Sequence, residues 1–215
     1  MIKKTEGRVY VVRVLYVAYC IFMLGAMIVG IMSLINLTKI AENQNIRNVY
    51  TTDLEINALV TTLMQTGRTE EVYEFYSSFT RNREITHNII IHALTERLPL
   101  HVAFGTAWTE SNFNPTCIYQ NKDKNGRVLS IDFGLFQLNS ESFPRVKKEE
   151  LLDVKLNTSL ACKTLMDNYT KTGSWFEAIC MYNRGHVTDL GIKYTSKVWE
   201  RIEFLNKAFS EERWY

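Results

Sequence analysis

The chain has 215 residues, of which 46% are hydrophobic, and its formal net charge at pH 7 is only +2. This length allows one domain with a buried core and additional segments. Because no run of Lys and Arg with interleaved aromatic residues occurs, nucleic acid is excluded as the expected partner.

The first 13 residues form a basic flank, whose charged side chains are Lys3, Lys4, Glu6, Arg8 and Arg13. Residues 14–35 then carry no charge. As an α-helix this segment would extend about 33 Å at about 1.5 Å per residue, which is enough to cross a bilayer. We therefore predict an uncleaved transmembrane signal anchor over residues 14–35. A basic flank stays on the cytoplasmic side, so the rest of the chain is expected on the outer side.

Residues 36–80 are predicted to form a helical stalk or linker between the anchor and the domain. Apolar residues recur at loosely helical spacing as far as Gly67, which is predicted to end the first helix of this segment. A second helix is predicted from Thr69 to Phe79. The domain itself is assigned to residues 81–215.

This domain is predicted to be mainly helical. A helix is expected to start near Arg83 and to end before Pro99, because proline pushes the preceding residue out of the helical conformation. Proline suits the start of the next helix, Leu100–Ser111, which is apolar nearly all round and is therefore expected to be central and buried. Glu110 lies at the end of that helix, directly before the turn at residues 112–115.

A polar loop over residues 121–130 follows the turn. The apolar pairs Ile118-Tyr119 and Val128-Leu129 flank it and predict a short β-hairpin. Later helices are predicted over residues 148–153, 156–171, 174–183 and 194–209. The expected fold is therefore a mainly α-helical domain with at most a small β-hairpin, preceded by the transmembrane helix and the stalk.

The cysteines and histidines indicate neither a disulfide framework nor a metal site. Cys162 and Cys180 lie among apolar residues on predicted helices and are interpreted as buried free thiols, with a bridge between them as the alternative. The histidines are scattered and no CxxC pair exists, so neither a metal nor another cofactor is expected.

Glu110 is the candidate catalytic residue. Trp108 and Phe113 flank it and predict a partly desolvated carboxyl, whose pKa would be raised so that it stays protonated near neutral pH. A protonated carboxyl in a cleft can donate its proton to a glycosidic oxygen.

Three segments extend this interpretation, and they are Trp108–Pro115 (WTESNFNP), Gly134–Asn139 (GLFQLN) and Ala178–Gly185 (AICMYNRG). In order and approximate spacing they resemble the glutamate-serine, Gly-Leu-Met-Gln and Ala-Tyr-Asn-Ala-Gly motifs of the soluble lytic transglycosylases, which belong to the lysozyme-like superfamily. Tyr194 with Val198 resembles the closing Tyr-Val element of that family.

The resemblance implies a lysozyme-like α+β fold and a function. The substrate would be the glycan strands of peptidoglycan, cut at the β-1,4 bond between N-acetylmuramic acid (MurNAc) and N-acetylglucosamine (GlcNAc). Because the 6-hydroxyl of the sugar attacks its own C1, Glu110 would be the sole general acid/base, and the product would carry a 1,6-anhydroMurNAc end. The expected location is the bacterial inner membrane, single-pass, with the catalytic domain in the periplasm. A cell-envelope machine is a possible partner.

The resemblance also implies substrate-binding residues, which are Ser111, Gln137, Asn139, Tyr182, Asn183 and Tyr194. Ser111 would steady the region of the acid, and Gln137 would offer a donor and an acceptor to the sugar. Tyr194 would lie close to Glu110. Gly134 and Gly185 are expected where the backbone passes closely or adopts a positive φ.

Departures from the family pattern leave alternatives open. Asp132 is a possible second carboxylate, which would make the protein a hydrolytic muramidase. A non-catalytic peptidoglycan-binding scaffold is a further alternative. Arg184 stands where the family prefers alanine, and is interpreted either as the partner of an acidic group or as a contact to the peptide stem.

Overall fold

The structure, a computed structural model, describes residues 31–33 and 65–211. The chain divides into two units, Met1–Arg47 and Asn48–Tyr215. The predicted basic flank, nearly all of the predicted anchor at 14–35 and most of the predicted stalk at 36–80 lie outside the described residues. No helix in the described ranges has the length and apolarity needed to cross a bilayer.

The second unit is mainly helical over residues 65–211. Its α-helices are α1 (Thr69–Thr80), α2 (Arg83–Glu96), α3 (Leu100–Ser111), α4 (Val154–Thr172), α5 (Trp175–Arg184) and α6 (Asp189–Glu211). A 3-10 helix at Glu150–Leu152 replaces the helix predicted at 148–153. Asp153 separates this turn from α4. Its side chain accepts a hydrogen bond from the backbone N–H of Leu156, which caps the start of α4.

Helix α3 is the central element, as predicted. Every residue from Leu100 to Ala107 is buried, and α3 packs closely on α6. The close approach depends on Gly105, where an added Cβ would lie 2.9 Å from Cγ1 of Ile202 on α6. The helix that carries Glu110 is therefore held on all sides by the core.

Helix α1 belongs to the same core, although it lies in the segment assigned from sequence to the stalk. Val72, Tyr73 and Tyr76 of α1 are buried. The ring of Tyr76 stacks on Phe104 of α3 with 4.3 Å between the ring centroids. The packed fold therefore includes residues from Thr69 onward.

A three-stranded antiparallel sheet lies between α3 and α4 in sequence, in the order β1 (Ile118–Lys122), β2 (Val128–Phe133) and β3 (Leu138–Asn139). The predicted hairpin is confirmed, and β3 is an addition too short to show a sequence period. Tyr119 pairs with Asp132, Asn121 with Ser130, and Asp132 with Asn139. Since side chains alternate along a strand, these five residues share one face of the sheet.

The mainly helical architecture with this small sheet fits the lysozyme-like fold that the resemblance implied. Cys162 and Cys180 are buried and free, as the first of the two interpretations predicted. Tight packing explains why a thiol suits position 180, because Gly191 of α6 lies against its sulfur.

Candidate active site

Glu110 lies in the last turn of α3, where two residues in the left-handed conformation end the helix. Asn112 has φ 54° and Phe113 has φ 61°. The backbone N–H of Asn112 donates to the carbonyl of Trp108, which closes the final turn. The chain then turns away, so the Glu110 side chain lines a cleft instead of lying under a further helical turn.

This cleft, which we call the Glu110 cleft, has a volume of about 590 Å³. It lies between the sheet, the loop after it and the C-terminal end of α5. The residues that line it are Glu110, Tyr119, Asn121, Leu129, Ser130, Asp132, Gln137, Leu138, Asn139, Ser142, Phe143, Thr164, Tyr182, Asn183 and Arg184. Five of the seven residues predicted for the site therefore share one cleft, and Tyr194 contacts Glu110 directly.

The carboxyl of Glu110 has the raised pKa expected from its sequence neighbours. This pKa is raised to about 7, mainly by burial and to a smaller extent by the negative charge of Asp132. The hydroxyl of Tyr194 donates a hydrogen bond of 2.6 Å to Oε1 of Glu110, which lowers the pKa because it favours the charged form. Near neutral pH the carboxyl can therefore both give and take a proton.

Two tyrosines connect Glu110 to the rest of the site. Tyr194 comes from α6 and Tyr182 from α5, where its hydroxyl donates 2.8 Å to the carbonyl of Phe136. Burial raises the pKa of both phenols well above the usual value, and the charge of Glu110 raises both further. Both hydroxyls therefore remain protonated donors at physiological pH.

The turn Gly134–Gln137 carries Gln137, which lines the cleft, and a buried asparagine holds this turn in place. Asn157 of α4 donates to the carbonyls of Phe133 and Leu151, and its Oδ1 accepts from the backbone N–H of Phe136. A buried amide with three hydrogen bonds fixes the turn to α4. The sequence analysis placed Asn157 on a helix but did not predict this role. A polar residue on an otherwise apolar helix face is the signal that could have indicated it.

The two glycines expected to need special backbone conformations do so for different reasons. Gly134 has φ 76°, and an added Cβ would lie 2.6 Å from Nδ2 of Asn157 and 2.7 Å from the carbonyl of Leu151. Gly185 has φ 74° but open space around it, and it ends α5. Close approach therefore applies only to Gly134.

The amide nitrogen of Gln137 is hydrogen-bonded to the backbone of the protein. Its Nε2 donates to the carbonyls of Cys117 at 3.0 Å and Gly134 at 2.8 Å. These bonds occupy the donor hydrogens, so Oε1 is the atom that can accept a hydrogen bond in the cleft. The arrangement supports the predicted acceptor and not the predicted donor.

Ser111 lies on the other side of Glu110 from the cleft. Its hydroxyl donates 2.6 Å to the carbonyl of Leu135, which ties the end of α3 to the turn. It lines a second groove of about 630 Å³, here called the Trp108 groove, together with Trp108, Thr109, Glu110, Asn112, Cys117, Lys197, Glu200 and Arg201. Ser111 therefore steadies the backbone beside the acid and does not contact the carboxyl.

Asp132 is held as a hydrogen-bond acceptor on the sheet face of the cleft. Its Oδ2 accepts from Asn121 at 2.8 Å and its Oδ1 from Asn139 at 2.6 Å. The amide of Asn139 also donates 2.8 Å to the hydroxyl of Ser130. Asn139, predicted to bind substrate, thus orients Asp132, and Asn121 was not predicted because only the strand register reveals it.

Asn183 carries an unusual acceptor. Its Oδ1 is buried and has no hydrogen-bond partner in the described part of the chain. Buried polar atoms are normally paired, and the rare exceptions are found at functional sites. Asn183 also lines the Glu110 cleft, so this unpaired acceptor belongs to the wall of the candidate site.

Within residues 31–33 and 65–211, no group of three or more His, Cys, Asp or Glu side chains is arranged to hold a metal ion. The polar groups that line the Glu110 cleft are two carboxyls, neutral amides, phenolic and aliphatic hydroxyls and the guanidinium of Arg184.

The contact between Tyr194 and Glu110 predicts a change in pH dependence. Tyr194→Phe removes a hydrogen bond to the carboxylate, so the pKa of Glu110 should rise above about 7. If the protonated acid is the active form, activity is lost as pH rises through that pKa, and this limb should move to higher pH. The maximal rate should fall about tenfold, since such a bond contributes about 1.5 kcal/mol.

A pH–rate profile of the variant measures this shift. Tyr119→Phe is the matched control, because Tyr119 lines the same cleft but has no hydrogen bond to Glu110. An unchanged upper limb in Tyr194→Phe would contradict the link between this carboxyl and the reaction.

Comparisons with known proteins agree with this geometry. Residues 87–199 match the family model described as "Transglycosylase SLT domain". The chain is 29% identical over 122 residues to a "Peptidoglycan-binding-like protein" of Escherichia coli O157:H7, covering 52% of this chain and 73% of that protein. It is also 29% identical over 119 residues to "Invasion protein IagB" of Salmonella typhi, covering 51% of this chain and 71% of that protein.

Proposed function

The chain belongs to the Transglycosylase SLT domain family, and from this premise we propose that it is a peptidoglycan lytic transglycosylase. The bond cleaved is the β-1,4 linkage between MurNAc and GlcNAc, and the product carries a 1,6-anhydroMurNAc end. The observation that supports this proposal best is the carboxyl of Glu110 in the cleft, whose pKa is raised to about 7 and whose oxygen accepts a hydrogen bond from a tyrosine hydroxyl.

Glu110 performs two proton transfers in this mechanism. The protonated carboxyl first gives its proton to the glycosidic oxygen as the C1–O bond breaks, and an oxocarbenium-like centre develops at C1. The resulting carboxylate then accepts the proton of the 6-hydroxyl of the same sugar as that oxygen bonds to C1. Tyr194 stabilises the carboxylate between the two steps by donating its hydrogen bond.

The neighbouring groups bind and orient the sugar. Oε1 of Gln137 and Oδ1 of Asn183 accept hydrogen bonds from hydroxyl or N–H groups. Tyr182 holds the turn that carries Gln137 through its bond to Phe136. Water is not a reactant, so the mechanism needs neither a second carboxylate nor a metal.

The experiment that tests this proposal is product analysis by mass spectrometry. The purified full chain is incubated with purified glycan strands, and the muramic ends are examined. Anhydro ends are expected. Reducing ends in their place would defeat the non-hydrolytic mechanism, and binding to insoluble peptidoglycan without any product would favour the scaffold alternative.

Hydrolysis is the second candidate, and the position of Asp132 favours it. This carboxylate lies in the Glu110 cleft and acts on the pKa of Glu110, so it is placed to influence a water molecule. However, both of its oxygens already accept amide hydrogen bonds, which suits a fixed acceptor better than a general base.

Asp132→Asn separates the two candidates. A lytic transglycosylase should keep its anhydro product, with a rate reduced by less than about tenfold, because Asp132 is not a reactant. A muramidase that depends on this carboxylate should lose about 10²-fold or more. The ratio of anhydro to reducing ends, measured beside the wild type, decides between the two.

We propose further that residues 14–35 anchor the protein in the bacterial inner membrane and that residues 81–215 act in the periplasm. The basic flank before an uncharged segment supports this topology. An anchored enzyme acts only on the wall within its reach, which suits local opening for a cell-envelope machine. Fractionation and protease accessibility of the intact cell measure the topology, and a periplasmic N-terminus would contradict it.

A further inference from the structure

Arg184 is the only positively charged side chain that lines the Glu110 cleft within the described residues. The other formal charges there are the carboxyls of Glu110 and Asp132, and the rest of the lining is made of amides, hydroxyls and apolar groups. A lone guanidinium in such a wall is a recognition group for an anion.

Among residues 31–33 and 65–211, no acidic side chain neutralises the guanidinium of Arg184. Arg184 is exposed, and no ion pair to it occurs among the described residues. Asp132, which lines the same cleft, has its two oxygens held by Asn121 and Asn139. The sequence interpretation of Arg184 as the partner of an acidic side chain therefore finds no support in the described structure.

The position of Arg184 is fixed by the end of α5. Gly185 adopts φ 74° and its N–H donates 2.7 Å to the carbonyl of Met181, which closes the last turn. Asn183, the preceding residue, contributes the buried Oδ1 without a partner. Two consecutive residues of the cleft lining thus offer a cation without an ion pair and an acceptor without a donor among the described residues, which favours a ligand with a carboxylate and an N–H group.

Muramic acid carries these two groups on neighbouring ring carbons. Its acetamido group supplies the N–H, and the adjacent lactyl ether supplies a carboxyl, either free or extended into an acidic peptide stem. N-acetylglucosamine has the acetamido group but no acid. The two sugars of the strand therefore differ in the group that Arg184 recognises.

We propose that Arg184 is a specificity-determining residue that binds the carboxylate of the muramic residue, while Asn183 accepts its acetamido N–H. This inference rests on the proposed function, since it concerns the substrate of the same cleft. Arg184 touches the substrate away from the reacting atoms, so it acts on binding and not on the proton transfers.

A purely structural role of Arg184 makes different predictions. A cation in the last turn of a helix interacts favourably with the helix dipole, and a lysine does this as well as an arginine. Carboxylate recognition by a planar fork is in contrast specific to arginine. The charge of Arg184 is also not among the influences that set the pKa of Glu110, so its removal should leave the pH profile unchanged.

The test compares the full-length wild type with Arg184→Ala and Arg184→Lys on soluble glycan strands. One strand preparation keeps its peptide stems, a second is stripped of stems by an amidase and keeps free lactyl carboxylates, and a third has all carboxylates converted to neutral methylamides. Lys171→Ala is the matched control, because Lys171 is an exposed cation in the last turn of α4 and does not line the cleft.

For Arg184→Ala we expect KM on charged strands to rise about tenfold, the loss typical of one charge-assisted hydrogen-bond pair, with kcat changed less than twofold. Arg184→Lys should recover part of this loss. For the wild type, KM should rise by the same factor when the strands are neutralised. For Arg184→Ala, neutralisation should not raise KM further. The lactyl carboxyl is an amide where a stem is attached, so an effect confined to stripped strands assigns the ligand to the lactyl carboxylate. An effect confined to strands with stems assigns it to the stem carboxylates, and an effect on both shows that Arg184 binds either.

Equal sensitivity of the wild type and Arg184→Ala to carboxylate neutralisation would overturn the inference, and so would full recovery by lysine. In both cases the wild type still cleaves the strands, and the proposed function stands. If the wild type cleaves none of the three preparations, the proposed function itself has failed.

Discussion

Glu110→Gln is expected to lower the rate of strand cleavage by about 10³-fold, within the range that general acid–base catalysis contributes. Glutamine has the same shape and its carbonyl oxygen can still accept the hydrogen bond from Tyr194, but it has no proton to give and cannot take one. Because burial already favours the uncharged carboxyl, a neutral amide at this position should not destabilise the fold near neutral pH. Release of soluble fragments measures the rate, and the Tm measures the fold.

Glu177→Gln is the control for this variant, since Glu177 is exposed in the first turn of α5 and does not line the cleft. It should keep full activity. Substantial turnover by a folded Glu110→Gln protein would remove the acid/base role and leave the scaffold alternative as the better description.

Gly134→Ala is expected to destabilise the fold by about 3 kcal/mol or more. A side chain at φ 76° is strained by about 1 kcal/mol or more. The added Cβ would also lie 2.6 Å from Nδ2 of Asn157 and 2.7 Å from the carbonyl of Leu151, so the hydrogen bonds around Asn157 would have to break or shift at a further cost of about 1–3 kcal/mol. Chemical denaturation of the variant beside the wild type measures the free energy of unfolding.

Gly126→Ala separates the two causes of this loss. Gly126 has φ 81°, close to that of Gly134, but nothing lies within 4 Å of an added Cβ. It should therefore show the conformational strain alone, about 1 kcal/mol. Equal destabilisation by the two substitutions would show that the contact with Asn157 contributes nothing.

The parts of the fold that could be predicted are those with local signals. The bounds of α3 follow from Pro99 before it and the turn-forming Asn112 after it, and both ends agree with the structure. The start of α6 was predicted too late, at residue 194 instead of Asp189. Its first turn exposes Leu190 and Ile192 and so lacks an apolar stripe, although Thr188, whose hydroxyl accepts from the N–H of Gly191, is a capping signal.

For the candidate site, the sequence identified residues that line the cleft but not the residues that hold them in position. Glu110, Gln137 and Tyr182, which the motifs singled out, line one cleft, because each motif places a side chain at the end of a helix or in a tight turn. The motifs did not reveal that Asn121 orients Asp132 or that Asn157 holds the turn. Those roles arise from strand register and from packing between segments distant in sequence, which a single sequence does not encode locally.

The three hydrogen bonds of Asn157 have a consequence for how the molecule responds to heat. They join the turn Gly134–Gln137, the 3-10 helix and α4 through one buried amide, so loosening any one of these segments costs hydrogen bonds to the others. We therefore expect the turn and its support to open on heating as a single cooperative unit. Hydrogen exchange of the backbone N–H of Phe136 should then follow that of α4.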